Sequence, residues 1–275
     1  MCGNRLVSSC RVKLHLSFSQ DFVSEVTAFD AGSYQLPPSC VASDSCPLRI
    51  VAFHVIIRVM NQNTIKTLRL VVPLSGGGTT LQNMIDLIHR GEMPATVELV
   101  IASRPDALGL ERAKKAGIPT LVIPRKGTPP EEFTRRMQEA IRSVRADLAC
   151  MAGFLSLWTI PDDYIGRVMN VHPALLPSFG GKGYYGHHVH EAVINTGCKV
   201  SGCTVHFADN IYDHGPIIAQ RCVPVLEDDT PDTLAARVFE QECVAYPEAI
   251  RLFAEGRLRI EGQRVHVLGA RQEVR

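Results

Sequence analysis

From Leu68 onward, short apolar runs alternate with amphipathic stretches of helical period. Short apolar runs between turn residues are typical of buried strands, and apolar positions that recur every three or four residues are typical of helices. The runs predict strands over residues 68–74, 97–101, 120–123, 148–151 and 167–172. The amphipathic stretches predict helices over residues 79–90, 106–116, 130–144 and 186–196.

The order of these elements predicts the fold class. Strands that alternate with helices favour a parallel sheet with helices on both faces, whose ligands collect at the carboxyl ends of the strands. Residues 203–208 and 217–225 predict longer, antiparallel strands, and residues 231–255 predict a long helix closed by Gly256. We therefore predict an α/β fold, a doubly wound, mostly parallel, Rossmann-like sheet with a C-terminal antiparallel portion and a long helix.

Residues 1–67 show a different pattern of apolar and polar positions. They show no sustained period of 2 or 3.6, and residues 31–47 read as a loop with three prolines. This irregular pattern of apolar and polar residues predicts an N-terminal extension that is disordered, or one that the working protein lacks because translation starts at Met60. A small regulatory module is the alternative. Residues 68–267 then form one domain, and residues 268–275 form a tail.

Composition narrows the class of partner. The chain has 29 basic and 28 acidic residues, a formal charge of +1, which favours neither nucleic acid nor an anionic membrane. We expect small-molecule substrates and a monomer or homodimer. The nine cysteines, an odd number without C-x2-C spacing, predict reduced thiols, and no secretory signal is recognisable, so we expect a cytoplasmic protein.

A glycine-rich segment joins the first predicted strand to the first helix. Residues 75–81 read Ser-Gly-Gly-Gly-Thr-Thr-Leu, in which Thr79 or Thr80 is a candidate helix cap. Glycines let the backbone approach an anion closely, and a helix N-terminus presents unpaired N–H groups. The segment matches neither common nucleotide-binding fingerprint, so a tight turn is the alternative to a phosphate site.

The strongest candidate chemistry lies in two later segments. Asn170 and His172 are two positions apart at the end of a predicted strand, so they share one face. Asp213 lies in a loop between two predicted strands, and this loop can bring its carboxylate back to His172. An amide, an imidazole and a carboxylate are the groups that acyl transfer needs for an oxyanion donor, a proton carrier and its orienting partner.

A metal site is an alternative interpretation of the clustered histidines. His187, His188 and His190 are close in sequence, and His206 and His214 follow. No glutamate or cysteine completes a known zinc pattern, so we expect no metal.

Five ordered motifs resemble phosphoribosylglycinamide formyltransferases, the folate-dependent, monofunctional type, over about residues 68–260. The motifs are Ser-Gly-Gly-Gly-Thr-Thr-Leu (75–81), Met-Ala-Gly-Phe (151–154), Asn-Val-His-Pro-Ala-Leu-Leu-Pro (170–177), Gly-Cys-Thr-Val-His-Phe (202–207) and Asp-His-Gly-Pro-Ile-Ile-Ala-Gln (213–220).

The resemblance implies formyl transfer from 10-formyltetrahydrofolate to the amine of 5′-phosphoribosylglycinamide in purine biosynthesis. It implies Asn170, His172 and Asp213 as the catalytic residues. The residues implied to bind phosphoribosylglycinamide are Gly78, Thr79 and Thr80 at the phosphate, and Gln241 and Glu242 at the ribose and amine. Those implied to bind the folate are Leu155, Ser156, Leu157, Trp158, Asn170, Asp209, Asn210, Ile211, Tyr212 and Asp213.

Three positions depart from the family pattern. Ser156 stands where the commonest relatives have an arginine beside the folate, Asn210 replaces an acidic residue, and residues 125–132 lack the usual arginine contact. These changes concern the folate tail and leave the catalytic residues intact.

Two other functions compete with the transferase. Formyltetrahydrofolate deformylases hydrolyse the same donor, but that family has an N-terminal regulatory domain, reads His-His-Ser after its asparagine and lacks the glycine loop. A non-catalytic nucleotide-binding protein on the same fold is the other alternative. Methionyl-tRNA formyltransferases add a basic C-terminal domain, for which this sequence has no room after His172.

Overall fold

The computed structural model describes residues 66–269, together with two strands of two residues each, Lys13–Leu14 (β1) and Val26–Thr27 (β2), which pair antiparallel. The chain divides into two compact units, residues 1–63 and residues 64–275. Apart from β1, β2 and residues 66–67, the predicted N-terminal extension lies outside the described residues, and so does the expected start at Met60. The same holds for residues 270–275 of the expected tail.

The second unit is built on a nine-stranded sheet. Its strands are β3 (Leu68–Leu74), β4 (Ala95–Ala102), β5 (Thr120–Val122), β6 (Leu148–Met151), β7 (Val168–His172), β8 (Val200–Phe207), β9 (Ile217–Pro224), β10 (Leu258–Glu261) and β11 (Arg264–Val267). Their order is β10-β11-β9-β8-β7-β6-β3-β4-β5. Strands β3 to β7 pair in parallel, whereas β7, β8 and β9 pair antiparallel, as predicted.

Five helices cover the sheet. They are α1 (Thr79–His89), α2 (Gly109–Lys115), α3 (Pro130–Ser143), α4 (His187–Asn195) and α5 (Pro231–Ala254). One core cluster joins Leu81 of α1 and Val238 of α5 to the sheet, and a second joins Phe133 of α3 to Val71 and Trp158. Because the two clusters contain helices from different parts of the chain, the sheet is doubly wound, with a core on each face.

The structure corrects three details of the prediction. Helix α1 begins at Thr79 with Gly78 as its N-cap, and no side chain caps it, so the expected Thr79 or Thr80 cap is wrong. Gly78 has φ +71°, a conformation that glycine adopts without strain. The second predicted helix begins three residues later than expected, at Gly109. The hairpin β10–β11 was missed because its residues are mostly exposed and give no clear period.

No helix within residues 66–269 is long and apolar enough to cross a membrane. The described cysteines, which include Cys150 and Cys203, are free thiols. Burial raises the pKa of the Cys203 thiol to about 12, so this side chain is an uncharged core group.

Candidate active site

Strand β7 presents two polar side chains on one side of the sheet. Asn170 and His172 share a face because side chains alternate along a strand. The antiparallel neighbour β8 places His206 opposite Asn170 in the strand register. His172 and His206 are exposed by only 3% and 1%. An amide and two buried imidazoles therefore meet near the end of β7.

One carboxylate oxygen of Asp213 lies within 4 Å of all three side chains. Its Oδ1 lies 3.4 Å from Asn170 Nδ2, 3.5 Å from His172 Nδ1 and 3.8 Å from His206 Nε2. Its Oδ2 accepts a hydrogen bond of 2.9 Å from the backbone N–H of Gly181. The loop after β8 thus returns the carboxylate to His172, as the sequence predicted.

The backbone around Asp213 is tightly constrained. Asp213 has φ +51°, a left-handed conformation that is costly for a residue other than glycine. Two residues later, a Cβ on Gly215 would lie 1.9 Å from the carbonyl oxygen of Phe207, which leaves no room for a side chain. The loop that carries the carboxylate is therefore held in one conformation.

His206 is neutral and orients Asn170. Its Nδ1 lies 2.9 Å from the carbonyl oxygen of Phe207, which can only accept, so Nδ1 carries the hydrogen. Its Nε2 then accepts from Asn170 Nδ2 at 3.2 Å. Burial lowers the pKa of His206, which agrees with the neutral form. The second hydrogen of Asn170 Nδ2 points toward Asp213 at 3.4 Å, a long contact.

His172 lies just behind the surface of the site. Its Nε2 donates to the carbonyl oxygen of Phe179 at 2.7 Å, while its Nδ1 faces Asp213. Protonation of this imidazole places a hydrogen on each nitrogen, so that both the carbonyl and the carboxylate have a donor. The arrangement suits the charged form of His172 as the partner of Asp213.

A cleft that is partly open to solvent adjoins the polar residues. Asn170, His206 and Asp213 are among its polar lining residues, and Trp158 is among the apolar ones. The other lining residues are Met151, Phe154, Ser156, Leu157, Ile160, Ala208, Asp209, Ile211 and Tyr212. An apolar cleft with a few convergent polar groups is typical of a binding site for a flat organic molecule.

Two residues that the resemblance assigns to the folate contact the loops around the cleft without lining it. Asn210 Oδ1 accepts a hydrogen bond of 2.7 Å from the backbone N–H of Ile160, which joins the two loops. The backbone N–H of Leu155 donates to Ser75 Oγ at 3.0 Å, and Ser75 Oγ lies 2.6 Å from Ser103 Oγ. These bonds fix the shape of the cleft.

The glycine segment forms the turn into α1, beside the same edge of the sheet. A Cβ on Gly78 would lie 2.6 Å from the Cα of Gly109, so only glycine permits this approach of two backbones. Arg112 Nε donates to the carbonyl oxygen of Gly77 at 2.8 Å and braces the turn. Thr79 and Thr80 form the first turn of the helix, where backbone N–H groups are free to bind an anion.

Gln241 and Glu242 lie on α5, which packs beside α1. The contact between the helices includes Asn83 Nδ2, which donates to the carbonyl oxygen of Cys243 at 3.1 Å. Burial raises the pKa of the Glu242 carboxyl to about 8, and no ion pair or hydrogen bond to its carboxylate is found within residues 66–269. A partly buried carboxyl on the helix beside α1, with no partner in the described residues, is free to bind a polar ligand.

The predicted histidine cluster has other contacts. His187 pairs with Asp232 at 3.3 Å, and His188 pairs with Glu191 at 3.8 Å. His190 is buried, and burial lowers its pKa to about 4. In the described part of the chain, no group of three or more histidine, cysteine or acidic side chains could hold a metal ion.

Sequence reasoning missed the part that His206 and Phe179 play in the site. Apart from its place in the motif at residues 202–207, His206 was considered only as a metal ligand, although its place in an apolar strand was a signal that it is buried. Its contact with Asn170 depends on the register of β7 and β8, and that register cannot be read from either segment alone.

The comparisons with known proteins agree with this geometry. The formyl transferase family matches residues 68–250. Phosphoribosylglycinamide formyltransferase of Haemophilus influenzae is 36% identical over 204 residues, which cover 73% of this chain and 94% of that protein. The chloroplastic phosphoribosylglycinamide formyltransferase of Vigna unguiculata is 37% identical over 205 residues, which cover 73% of this chain and 65% of that protein.

Solved structures show the same likeness. Glycinamide ribonucleotide transformylase 1 from Symbiobacterium toebii superposes with a TM-score of 0.69 at 43% identity, covering 74% of this chain and 95% of that one. This chain is also similar to the trifunctional purine biosynthetic protein adenosine-3 of Drosophila melanogaster, but the matched segment covers only 14% of that protein. This chain belongs to the formyl transferase family and, within it, to the phosphoribosylglycinamide formyltransferases.

Proposed function

We propose that this chain transfers the formyl group of 10-formyltetrahydrofolate to the glycine amine of 5′-phosphoribosylglycinamide. The products are the N-formyl ribonucleotide and tetrahydrofolate, in de novo purine biosynthesis. The observation that carries this proposal is the convergence of Asn170, His172 and His206 on one oxygen of Asp213, at the wall of an apolar cleft.

The reaction begins when the amine nitrogen attacks the formyl carbon and the carbonyl oxygen becomes an oxyanion. Asn170 is placed to donate to that oxyanion, because the hydrogen it directs toward Asp213 is only weakly held at 3.4 Å. His172, protonated beside Asp213, donates from Nε2 once the oxyanion replaces the carbonyl oxygen of Phe179. Donors aimed at a developing charge are usually the largest single contribution to the rate of acyl transfer.

The second step breaks the bond between the formyl carbon and N10 of the folate. The amine nitrogen loses a proton and N10 gains one, so the overall proton balance closes. His172 is the group in this site that can carry this proton, directly or through a water molecule, because Asp213 stabilises its charged form. His206 stays neutral throughout and keeps the Asn170 amide in position.

The ribonucleotide is proposed to bind between the glycine turn and α5. Its phosphate accepts from the backbone N–H groups around Gly78, Thr79 and Thr80, with the favourable field of the α1 N-terminus. Gln241 and Glu242 face the ribose and the amine. This places the amine on the side of the sheet edge where Asn170 lies.

The formyl donor is proposed to occupy the cleft. Its pterin contacts Trp158 and the loop from Asp209 to Asp213, and Leu157 covers it from the opposite loop. We further propose that residues 68–267 are the catalytic unit, so that a chain starting at Met60 is fully active.

A formyl-transfer assay with and without phosphoribosylglycinamide tests this function. We expect tetrahydrofolate release to require the amine, and the riboside without phosphate to be a poor acceptor. Release that does not require the amine would instead identify a deformylase. Binding of both ligands without any release would identify a non-catalytic protein.

A further inference from the structure

The last residue of the motif at residues 213–220 has no part in the mechanism so far. Gln220 lies on β9 in register with Thr204 of β8, and Thr204 lies in register with His172 of β7. Residues that are paired across neighbouring strands project from the same face of a sheet. The three side chains therefore form a row on the face that carries Asn170 and His172.

The hydroxyl of Thr204 is the centre of a buried hydrogen-bond network. Thr204 is fully buried, and its Oγ1 donates to the carbonyl oxygen of Ala174 at 2.6 Å. The same oxygen accepts from the backbone N–H of Leu176 at 3.0 Å and from Gln220 Nε2 at 3.0 Å. A hydroxyl offers one hydrogen and two lone pairs, so all of its bonding positions are filled.

The amide of Gln220 completes this network. Its Nε2 also donates to the carbonyl oxygen of Leu176 at 3.0 Å, so both amide hydrogens are used. Within residues 66–269, no other group donates to that carbonyl oxygen. The backbone N–H and the backbone carbonyl of Leu176 are thus both bonded to side chains of the sheet.

The segment held in this way leads directly to the partners of two catalytic side chains. Phe179 lies three residues after Leu176, and its carbonyl oxygen accepts from His172 Nε2 at 2.7 Å. A Cβ on Gly180 would lie 2.5 Å from Leu176 Cδ2 and 3.3 Å from the Cβ of Asp213, so this backbone lies close to both side chains. A displacement of Leu176 would therefore disturb the surroundings of both His172 and Asp213.

We propose that Gln220 is a positioning residue for formyl transfer, which acts on His172 through Leu176 and Phe179. A buried polar network specifies one arrangement when every member is satisfied, and loss of the Gln220 amide leaves the Leu176 carbonyl without a donor. The network orients a donor and does not contact substrate, so its loss lowers kcat and leaves KM unchanged. The proposal rests on the proposed function, because the reaction it concerns is formyl transfer.

The hydrogen on His172 Nε2 provides a spectroscopic test in the full chain, labelled with ¹⁵N-histidine and without substrates. We expect the wild type to show a resolved N–H resonance for this hydrogen, which His172→Ala removes. Gln220→Met keeps the side-chain length but has no donor, so we expect the resonance to be lost by exchange with water. The hydrogen on His206 Nδ1 is the internal reference, because its acceptor, the carbonyl oxygen of Phe207, lies on β8 and not in the turn.

Steady-state formyl transfer provides the second test. We expect Gln220→Met to lower kcat about tenfold and to leave KM for both substrates within about twofold of the wild-type values. Gln220→Glu, which keeps the length and polarity but has no N–H when ionised, is expected to show the same loss. Cys222→Ala, at an exposed position on the same face of β9, is the matched control and is expected to behave as wild type in both tests.

The proposal is overturned if Gln220→Met keeps either the His172 resonance or the turnover of the wild type. It is also overturned if the His206 resonance disappears together with that of His172, since Gln220 would then only support the fold. The spectra need no substrate, so failure of the proposed function is a separate outcome. A His172 resonance that depends on Gln220, in a chain that never formylates the amine, would refute the transferase and support the positioning of His172.

Discussion

The carbonyl oxygen of Phe179 lies 2.7 Å from His172 Nε2, so the main chain holds the hydrogen on this ring nitrogen. Because a carbonyl oxygen can only accept, the contact also determines that Nε2 carries a hydrogen. Phe179 itself has φ +53°, a left-handed conformation. The segment that follows β7 thus keeps a hydrogen on His172 Nε2.

Loss of either member of the His172–Asp213 pair is expected to lower kcat. His172→Ala removes the proton carrier, and Asp213→Asn removes the charge that stabilises it while it keeps the side-chain shape. We expect each to reduce turnover by at least about a hundredfold in single-turnover formyl transfer. His188→Ala, an exposed histidine on α4, is the matched control and is expected to leave turnover unchanged. Near-normal rates in either test variant would refute the mechanism.

Asn210→Ala is expected to weaken binding of the formyl donor without slowing chemistry. The change removes the acceptor for the backbone N–H of Ile160 at 2.7 Å and so loosens the two loops beside the cleft. The loss of about 1 kcal/mol for one hydrogen bond predicts an increase of about fivefold in KM for the donor. Steady-state kinetics at saturating amine measure this KM, and Asn195→Ala, at an exposed position of α4, is the control. An unchanged KM would show that this bond does not shape the cleft.

The stability of the protein is expected to depend on the ionisation of Glu242. Its folded-state pKa of about 8 lies above the usual carboxyl value, so the folded state holds a proton that the unfolded state releases. The stabilisation is complete at pH below the unfolded pKa and is lost as the pH rises through the folded pKa. Between about pH 4.5 and pH 8, wild-type stability should therefore fall relative to that of Glu242→Gln, which cannot ionise.

Urea denaturation at several pH values measures this difference. Glu240→Gln, on the exposed face of the same helix, is expected to follow the pH profile of the wild type. Parallel profiles for wild type and Glu242→Gln would mean that the carboxyl is ionised in the folded protein.

Gly215→Ala is expected to destabilise the fold by about 3 kcal/mol or more, because its Cβ would overlap the carbonyl oxygen of Phe207. Backbone would have to move at the loop that carries Asp213, so activity should fall with stability. Gly76→Ala is the matched control for stability, since a Cβ there meets nothing within 4 Å. Equal unfolding free energies for the two variants would contradict this account of the loop.

Local pattern determined most of the secondary structure of the second unit. Strands β3 and β6 match the predicted limits, because a continuous run of apolar residues indicates a strand that is buried on both faces. The period of two within β7 was enough to place Asn170 and His172 on one face. The hairpin β10–β11 was not predicted, because edge strands with little apolar surface to bury give only a weak pattern in the sequence.

The sequence by itself determined the fold class, the glycine turn and the three residues Asn170, His172 and Asp213, because each depends on residue type and local spacing. Only the tertiary structure decided that His206 orients the Asn170 amide and that the Phe179 carbonyl holds His172. These relationships depend on strand register and on loop packing between distant segments. Such contacts form from the balance of burial and hydrogen bonding over the whole domain, which no single segment encodes.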